Sequence, residues 1–217
     1  MFTGLIAEMG KVKALHKVKN SYQLTIGTNK IATRLKIGDS IAVNGACLTV
    51  IALQGADFTA DVMPETAKMT TVGLLQAGEL VNLEGTLRLQ DGLDGHLVSG
   101  HVEGVGEIKQ KVADGNAVLV TISCATALLK YILNKGSIAI DGISLTVTQV
   151  TDKGFTVSLI PHTAAQTTLG SKGVGQKVNL ETDMIGKYVE QMLKFQDKTA
   201  TKRQELSKNT LFENGFL

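Results

Sequence analysis

The residue types best suited to acid–base or nucleophilic chemistry in this 217-residue chain lie in two copies of one motif. NGACLTV at 44–50 is repeated as DGISLTV at 141–147, with Cys47 in the first copy and Ser144 in the second. A thiol and a hydroxyl can both carry a proton or attack an electrophile, but their pKa values differ. The copies therefore keep one polar motif and differ at its most reactive atom.

The repeat extends far beyond these seven residues. Residues 63–84 align with residues 160–181 at the same offset of 97, with 11 identities in 22 positions, and residues 1–10 align with residues 97–106 at an offset of 96. A period of about 95 residues is too long for a solenoid. Each copy is large enough to be a small domain. We therefore predict a tandem duplication followed by an unrelated tail.

A few aligned positions differ in their chemistry. Copies that keep the same polar motifs would keep the same kind of ligand pocket, and a chemical difference would give the two pockets different roles, although sequence drift also produces differences. The aligned pairs are Leu5 and His101, Cys47 and Ser144, Asn44 and Asp141, and Glu65 and His162.

Taken singly, these residues do not identify a site. The four histidines are scattered and no Cys or carboxylate lies near them at zinc-ligand spacing, so no metal is predicted. DGLDG at 91–95 lacks the acids of a calcium loop, and no glycine-rich stretch matches a dinucleotide fingerprint. A lone Cys47 is more often a small buried residue than a nucleophile. The histidines are His16, His96, His101 and His162.

Composition limits the classes of partner. A net charge of +2 is too small to indicate nucleic acid, and the basic stretch at 194–208 also contains acids, as a solvated helix face does. No apolar run is long enough to span a membrane, and the first residues do not form a signal peptide. The two cysteines are not in equivalent positions, which excludes a duplicated disulfide framework. We expect a cytoplasmic protein.

The elements that must position these residues are mostly short strands. Apolar residues alternate with period two between glycine-bearing turns, which predicts an antiparallel barrel or sandwich in each copy. A short helix ending at glycine is predicted over 30–38 and over 125–136, and 89–96 is predicted to be the linker. The alternating sets are Tyr22, Leu24, Ile26; Phe58, Ala60, Val62; Val118, Val120, Ile122; Ile138, Ile140; and Phe155, Val157, Leu159.

The tail is predicted to be one amphipathic helix. It follows Thr182 and Asp183, a plausible N-cap, and its apolar residues recur every three or four positions. Such a stripe needs a partner, either the chain's own barrels or other copies of the chain, and we favour an oligomer. The stripe comprises Met184, Ile185, Tyr188, Val189, Met192 and Phe195.

Several motifs together resemble the riboflavin synthase family. They are MFTG, NG-x-CLTV, ETxxxTT, GHLVSGHV, KG-x-IxIDGISLTV, IPHT-x-x-x-TTLG, VNLE-x-D-x-IGKYVE and the closing FENGF, and they cover essentially the whole chain. The resemblance implies a mainly all-β fold: two tandem six-stranded antiparallel Greek-key barrels with short helices, plus a C-terminal α-helix. The implied domains are 1–96, 97–183 and an oligomerisation tail at 184–217, assembled as a homotrimer.

The resemblance further implies a transferase reaction. Two molecules of 6,7-dimethyl-8-ribityllumazine, one donor and one acceptor, exchange a four-carbon unit and give riboflavin and 5-amino-6-(D-ribitylamino)uracil. No metal or cofactor is implied. The reacting pair is expected between the N-terminal barrel of one subunit and the C-terminal barrel of another. Association with lumazine synthase is a further possibility.

The same resemblance implies which residues contact the substrate. In the first barrel they are Gly4, Leu5, Ile6, Cys47, Leu48, Thr49, Asp61, Val62, Met63, Pro64, Glu65 and Thr66. In the second they are Gly100, His101, Val102, Lys135, Ser144, Leu145, Thr146, Leu159, Ile160, Pro161, His162, Thr163 and Ala164. Backbone groups would pair with the pyrimidinedione edge, and hydroxyls and Lys135 would hold the ribityl chain.

Proton transfer is expected from a smaller group of residues. His101 and Ser144 come first, then Thr146 and Cys47, with Asp183 as an orienting group, or only an N-cap, and Phe2 as a cover over the ligand.

One position departs from the family pattern, since Gly85 follows VNLE where relatives commonly carry Arg. The alternative function is a lumazine- or flavin-binding antenna protein without turnover. The intact SGH motif and DGISLT motif of the second copy favour the enzyme.

Overall fold

A computed structural model describes residues 1–200, 208–213 and 215 of the chain. Within them, twelve strands form two closed six-stranded barrels with only antiparallel pairing, in the orders β1-β2-β5-β4-β3-β6 and β7-β8-β11-β10-β9-β12. The first barrel comprises β1 (Glu8–Val18), β2 (Ser21–Gly27), β3 (Ser40–Val43), β4 (Ala46–Gln54), β5 (Asp57–Val62) and β6 (Leu80–Gly85). The second comprises β7 (Gly104–Asp114), β8 (Ala117–Ser123), β9 (Ser137–Ile140), β10 (Ile143–Val150), β11 (Gly154–Leu159) and β12 (Lys177–Thr182). The predicted pair of barrels is confirmed.

The inward faces of the strands form one apolar core in each barrel. Phe58, Ala60 and Val62 are buried together in the first, and Phe155, Val157 and Leu159 in the second, as the period-two pattern predicted. A third, small cluster of Phe2, Ala42, Val98 and Ala139 packs outside both cores.

The repeated motif forms a tight hairpin in each barrel. Asn44 and Gly45 join β3 to β4 with φ of 44° and 79°, and Asp141 and Gly142 join β9 to β10 with φ of 46° and 80°. Two consecutive positive φ angles are typical of the two-residue turns that favour Asn-Gly and Asp-Gly. The motif is thus first a turn signal, and its third and fourth residues begin the strand that carries Cys47 or Ser144.

The two hairpins meet each other, which joins the barrels. A Cβ atom on Gly45 would lie 2.7 Å from the amide nitrogen of Gly142. The Nδ2 group of Asn82 donates to the carbonyl of Asp141 (3.0 Å), and that of Asn179 donates to the carbonyl of Asn44 (2.8 Å). The asparagines of the two VNLE motifs therefore link each barrel to the turn of the other.

The helices are shorter and more numerous than predicted. The predicted helix over 30–38 is a single 3₁₀ turn at Ile31–Arg34, and that over 125–136 is confined to α2 (Thr126–Leu129). Lys135, with φ of 65°, and not Gly136, adopts the left-handed conformation.

Four helical turns between strands were not predicted. They are too short for a hydrophobic period, although each of the two longer ones has proline at its first position, a known start signal. These turns are α1 (Pro64–Met69), a 3₁₀ turn at Thr71–Leu74, α3 (Pro161–Gln166) and α4 (Thr168–Ser171).

The tail forms a separate unit from residue 184 onward. Helix α5 (Met184–Ala200) begins directly after Asp183, as predicted, and α6 (Lys208–Glu213) follows. Most of the predicted stripe is more than half exposed, including Tyr188 at 64% and Met192 at 65%. Asn214 and Phe216 of the closing FENGF lie outside the described residues.

Candidate functional site

The N-terminal segment of each repeat crosses to the barrel of the other repeat. The amide of Ser144 donates to the carbonyl of Gly4 (2.8 Å), and Ile6 packs on the core of the second barrel. In the equivalent contact of the other repeat, the amide of Cys47 donates to the carbonyl of Gly100 (2.8 Å). The structure thus places residues 4–6 against the second barrel and residues 100–102 against the first, the reverse of the grouping expected from the sequence, while their contact with a ligand stays a prediction.

The crossing is tight because both segments carry glycine at the contact. Gly4 and Gly100 have φ of 78° and 84°, in the left-handed region. A Cβ atom on Gly100 would lie 2.7 Å from Cβ of Cys47, and one on Gly4 would lie 2.6 Å from Cβ of Ser144. Only glycine allows such an approach at these backbone angles.

A first pocket forms where residues 100–102 lie against the first barrel. Its volume is about 200 Å³. The thiol-bearing Cys47 and the exposed His101 both line it, beside the first turn of α1. Its lining residues are Ala46, Cys47, Glu65, Thr66, Met69, Thr70, Gly100, His101 and Val102. The structure therefore brings together predicted residues from three separate segments.

The equivalent position in the second barrel contains a serine–histidine pair. Nδ1 of His96 lies 2.7 Å from Oγ of Ser144, in a hydrogen bond. Burial lowers the pKa of His96 below its usual value, and the negative charge of Asp183 acts in the opposite direction. A neutral imidazole can accept a proton from, or return it to, the serine hydroxyl.

His96 was missed by the sequence analysis, which placed it in the linker. The residue is 8% exposed, and its Nε2 atom is buried without a hydrogen-bond partner within the described residues. The amide of His96 donates to the carbonyl of Thr3 (3.1 Å), which holds the linker against the crossing segment. The available signal was its place five residues before His101 in GHLVSGHV, but it has no counterpart in the first repeat.

The chemical difference between Asn44 and Asp141 is structural. Each side chain accepts a hydrogen bond at 2.8 Å from the amide of a VNLE asparagine. The second carboxylate oxygen of Asp141 also accepts a hydrogen bond from Nζ of Lys172 (2.5 Å). Asn44 and Asp141 therefore differ in the hydrogen bonds that stabilise their turns and not in a group that could contact a ligand.

Several other predicted residues are near the sites but offer only backbone groups. Their side chains are in the barrel cores, so a ligand could meet only their main chain: Leu48, Val62, Leu145 and Leu159. Pro64 and Pro161 begin α1 and α3. Residues 159–164 thus lead into α3 in the same way that the equivalent residues 62–67 lead into α1. The exposed predicted side chains include Leu5, Thr49, Met63, Lys135, Thr146, Ile160 and His162.

Lys135 and Thr146 lie at neighbouring positions in the second barrel. Thr146 pairs with Ser137 across the β9–β10 hairpin, and the amide of Lys135 donates to the carbonyl of Val147 (2.8 Å). In the first barrel Asp61 pairs with Thr49 across β4 and β5.

Phe2 packs against the segment that precedes the second barrel. Its ring is fully buried in the small cluster with Val98, and its main chain pairs with Val98 in an isolated bridge. The ring has no exposed surface in this structure, and its expected role as a cover over the ligand stays a prediction. The ring packs against Gly100, since a Cβ atom on Gly100 would lie 2.8 Å from Cε2 of Phe2.

Two classes of feature are not found in the part of the chain that the structure describes. It contains no group of three or more His, Cys, Asp or Glu residues arranged as a metal site. None of its helices combines the length and apolar character needed to cross a membrane.

Comparison with known proteins gives a consistent family. A family model described as the lumazine binding domain matches residues 3–86 and again residues 99–183. A riboflavin synthase of Actinobacillus pleuropneumoniae is 45% identical over 216 residues, covering 100% of both chains. A riboflavin synthase of Bacillus subtilis (strain 168) is 44% identical over 216 residues with the same coverage.

Solved structures agree in fold. LumP complexed with 6,7-dimethyl-8-(1'-D-ribityl) lumazine has a TM-score of 0.76 at 26% identity, covering 84% of this chain and 99% of that chain. LumP complexed with riboflavin has a TM-score of 0.78 with the same identity and coverage.

Proposed function

The chain belongs to the riboflavin synthase family, and on that premise we propose that it converts two molecules of 6,7-dimethyl-8-ribityllumazine into riboflavin and 5-amino-6-(D-ribitylamino)uracil. One molecule donates a four-carbon unit and the other accepts it. The matched repeats suit this reaction because both partners are the same compound.

The observation that carries the proposal is a pair of equivalent sites with unequal chemistry. The site on the first barrel combines Cys47 with His101 from the second repeat, and the site on the second barrel combines Ser144 with His96 from the linker. Equivalent backbones can hold identical ring systems, while different side chains can favour donation at one site and acceptance at the other. A passive carrier would need neither the second site nor the difference.

The reaction needs the loss of a proton from the 7-methyl group, attack on C7 of the partner, and later proton transfers. We assign proton handling in the second site to Ser144, with His96 as its neutral partner and Asp183 as the charge that favours the imidazolium when it forms. Cys47 and His101 would serve the first site, and Thr146 and Lys135 would bind hydroxyls of the ribityl chain.

Orientation supplies much of the rate enhancement. Holding two reactants in a productive geometry can contribute on the order of 7–11 kcal/mol. Two substrate molecules contain the same atoms as the two products, so the reaction consumes no oxidant, reductant or water. That balance agrees with the prediction that no cofactor takes part, which stays a prediction.

The exposed apolar side chains of α5 support a homotrimer. Ile185, Tyr188, Val189, Met192 and Leu193 are each at least half exposed. Large apolar surfaces of this kind usually mark protein interfaces. In a trimer, the first barrel of one subunit would face the second barrel of another, and the two substrates would meet there. A cytoplasmic location and an association with lumazine synthase stay predictions.

The direct test is turnover with the lumazine as sole reactant. The purified protein is incubated with 6,7-dimethyl-8-ribityllumazine under nitrogen and with EDTA, and riboflavin is followed by absorbance. Riboflavin formation supports the proposal. Tight binding without riboflavin would instead support an antenna or carrier role.

A further inference from the structure

The VNLE motifs end in two glutamates whose carboxylates are buried. Glu84 and Glu181 are each the next-to-last residue of their strand, β6 and β12, with 6% and 4% of their surface exposed. A buried carboxylate is costly unless hydrogen bonds compensate its lost hydration. The neighbours of both groups therefore reveal what each one does.

Glu181 binds the segment that precedes its own barrel. Oε1 accepts hydrogen bonds from the amide of Ser99 (2.6 Å) and from its hydroxyl (2.7 Å), and Oε2 accepts one from the amide of Gly100 (3.0 Å). The hydroxyl of Ser99 in turn accepts a hydrogen bond from the amide of His101 (3.1 Å). One carboxylate thus fixes three consecutive residues.

Glu84 makes the same set of bonds in the first repeat. Its carboxylate accepts hydrogen bonds from the amide and hydroxyl of Thr3, both at 2.6 Å, and from the amide of Gly4 at 3.0 Å. The amide of Leu5 donates to the hydroxyl of Thr3 at 3.2 Å. The two arrangements agree bond for bond.

Each fixed segment continues onto the other barrel. The segment held by Glu181 presents Gly100, His101 and Val102 to the pocket of Cys47 in the first barrel. The segment held by Glu84 presents Gly4 to Ser144 in the second. Each glutamate therefore belongs to one barrel and orders a wall of the site on the other.

We propose that Glu181 is a positioning residue for the site in the first barrel and Glu84 for the site in the second. This rests on the proposed function, since it takes both sites to bind a ribityllumazine. The proposal gives neither carboxylate a contact with the substrate. Each acts through three or four bonds that set the register of the crossing segment, so its effect should appear in the opposite repeat.

The test compares Glu181→Gln with Glu84→Gln, which serve as matched controls for each other. An amide has one acceptor oxygen and a donor group, so the NH₂ of Gln would face a backbone N–H and the segment would lose at least one bond. Loss of a bond to a charged group corresponds to binding about tenfold weaker or more. Glu107→Gln, at a partly exposed carboxylate paired with Lys109, is the general control.

Hydrogen exchange with mass spectrometry reports the two sites separately. The probe is 6,7-dioxo-8-ribityllumazine, whose oxo groups replace the methyl groups so that it cannot react. We expect Glu181→Gln to weaken ligand-induced protection at 63–70 and leave it intact at 160–167. Glu84→Gln should do the reverse, and Glu107→Gln should change neither.

Three results would overturn the inference: loss at both sites in each variant, no loss at either, or loss at the site on the glutamate's own barrel. If the Gln variants do not fold, Ser99→Ala and Thr3→Val each remove a hydroxyl that donates to the glutamate and accepts from the amide two residues later, which is two bonds from each set. The same crossed pattern is expected from them, and an uncrossed one would overturn it. Failure of the premise that both sites bind a ribityllumazine looks different, because the wild type itself would then show no protection by the probe, and turnover is tested separately with the reactive lumazine.

Discussion

The hydroxyl of Ser144 lies 2.7 Å from Nδ1 of His96, whereas its counterpart Cys47 faces an open pocket with the exposed His101. The copies thus share a backbone and differ in the partner of the reactive atom. A serine hydroxyl needs an adjacent base to lose its proton near neutral pH. A thiol depends less on such a base because it loses its proton more easily. This difference is the physical basis for assigning unequal roles to the two sites.

Removing the serine hydroxyl should abolish most of the turnover. Ser144→Ala is expected to lower kcat by about 10²–10⁴-fold, the usual contribution of one proton-transferring group. Binding of the lumazine should be little changed because the backbone bonds to Gly4 remain. Stopped-flow turnover with a parallel binding titration measures both quantities. Thr148→Ala, on the same strand, is the control, and equal losses in the two variants would contradict the assignment.

The burial of His96 makes stability depend on pH with a defined sign. Its pKa in the folded state is lowered from 6.5, so below that pH the unfolded chain takes up the proton more readily than the folded one. Stability contributed by the neutral ring is present above pH 6.5 and is lost as pH falls towards the lowered pKa. His96→Gln does not titrate and avoids that loss.

Urea unfolding of wild type and His96→Gln across pH 5 to 8 checks this sign. The stability of the wild type relative to the variant should fall as the pH drops below 6.5. Carboxyl groups common to both proteins cancel in the difference. A difference that stays constant or grows towards acid would show that the ring is not held neutral by burial.

At the level of elements, the Asn-Gly and Asp-Gly hairpins unite the barrels as well as turning the strands. Gly45 needs both a positive φ and space, because a Cβ atom there would meet the amide of Gly142 at 2.7 Å. Gly55 has a positive φ of 60° but open space around its Cα. The two positions therefore separate the cost of backbone conformation from the cost of contact.

Gly55→Ala should lower the free energy of unfolding by about 1–2 kcal/mol, the cost of left-handed backbone in an L residue. Gly45→Ala should cost about 2–5 kcal/mol, because overpacking adds to that term. Chemical denaturation of both variants measures the difference. Equal losses would mean that the hairpin contact yields easily and does not hold the barrels together.

The strands were predictable from sequence because period-two burial leaves a direct pattern. Phe58, Ala60 and Val62 are all core residues, as are their counterparts 97 positions later. Helices such as α1 are only six residues long and bury no side chain completely, so no apolar periodicity in the sequence predicts them. The proline at position 64 was the one signal available.

The sequence analysis named Cys47, His101 and Ser144, which lie where the crossing segments meet the barrels, but it did not predict how the segments are grouped. Repeats align each segment with its own copy, so the sequence assigns Gly4 to the first barrel and Gly100 to the second. The crossing depends on long-range hydrogen bonds and on glycine contacts between the barrels, which no local pattern encodes. His96 was missed for the same reason, since it acts on Ser144 from 48 residues away.

At the level of the whole molecule, α5 carries the main evidence for assembly. Its apolar side chains, such as Ile185 and Val189, are at least half exposed, while Glu190 and Lys194 form an ion pair at 2.8 Å. We propose that the apolar stripe forms the contact between subunits.

Val189→Glu should dissociate the oligomer, since a charge in an apolar interface loses its hydration without a partner. Analytical ultracentrifugation gives the mass, and turnover should fall with it if the reacting pair meets between subunits. Lys194→Gln changes the charge by the same amount at the ion pair and should leave the mass unchanged. A monomeric wild type would contradict the assembly, and a dissociated but fully active variant would contradict a shared site.

The most direct measurement of the central claim is the stoichiometry of the reaction. The wild-type protein is given a known amount of 6,7-dimethyl-8-ribityllumazine as the sole substrate, and both products are quantified by chromatography at completion. The account predicts one riboflavin and one 5-amino-6-(D-ribitylamino)uracil for every two lumazines consumed. Any other ratio, or a ligand that binds and is recovered unchanged, would contradict the claim that the two repeats hold the two partners of one reaction.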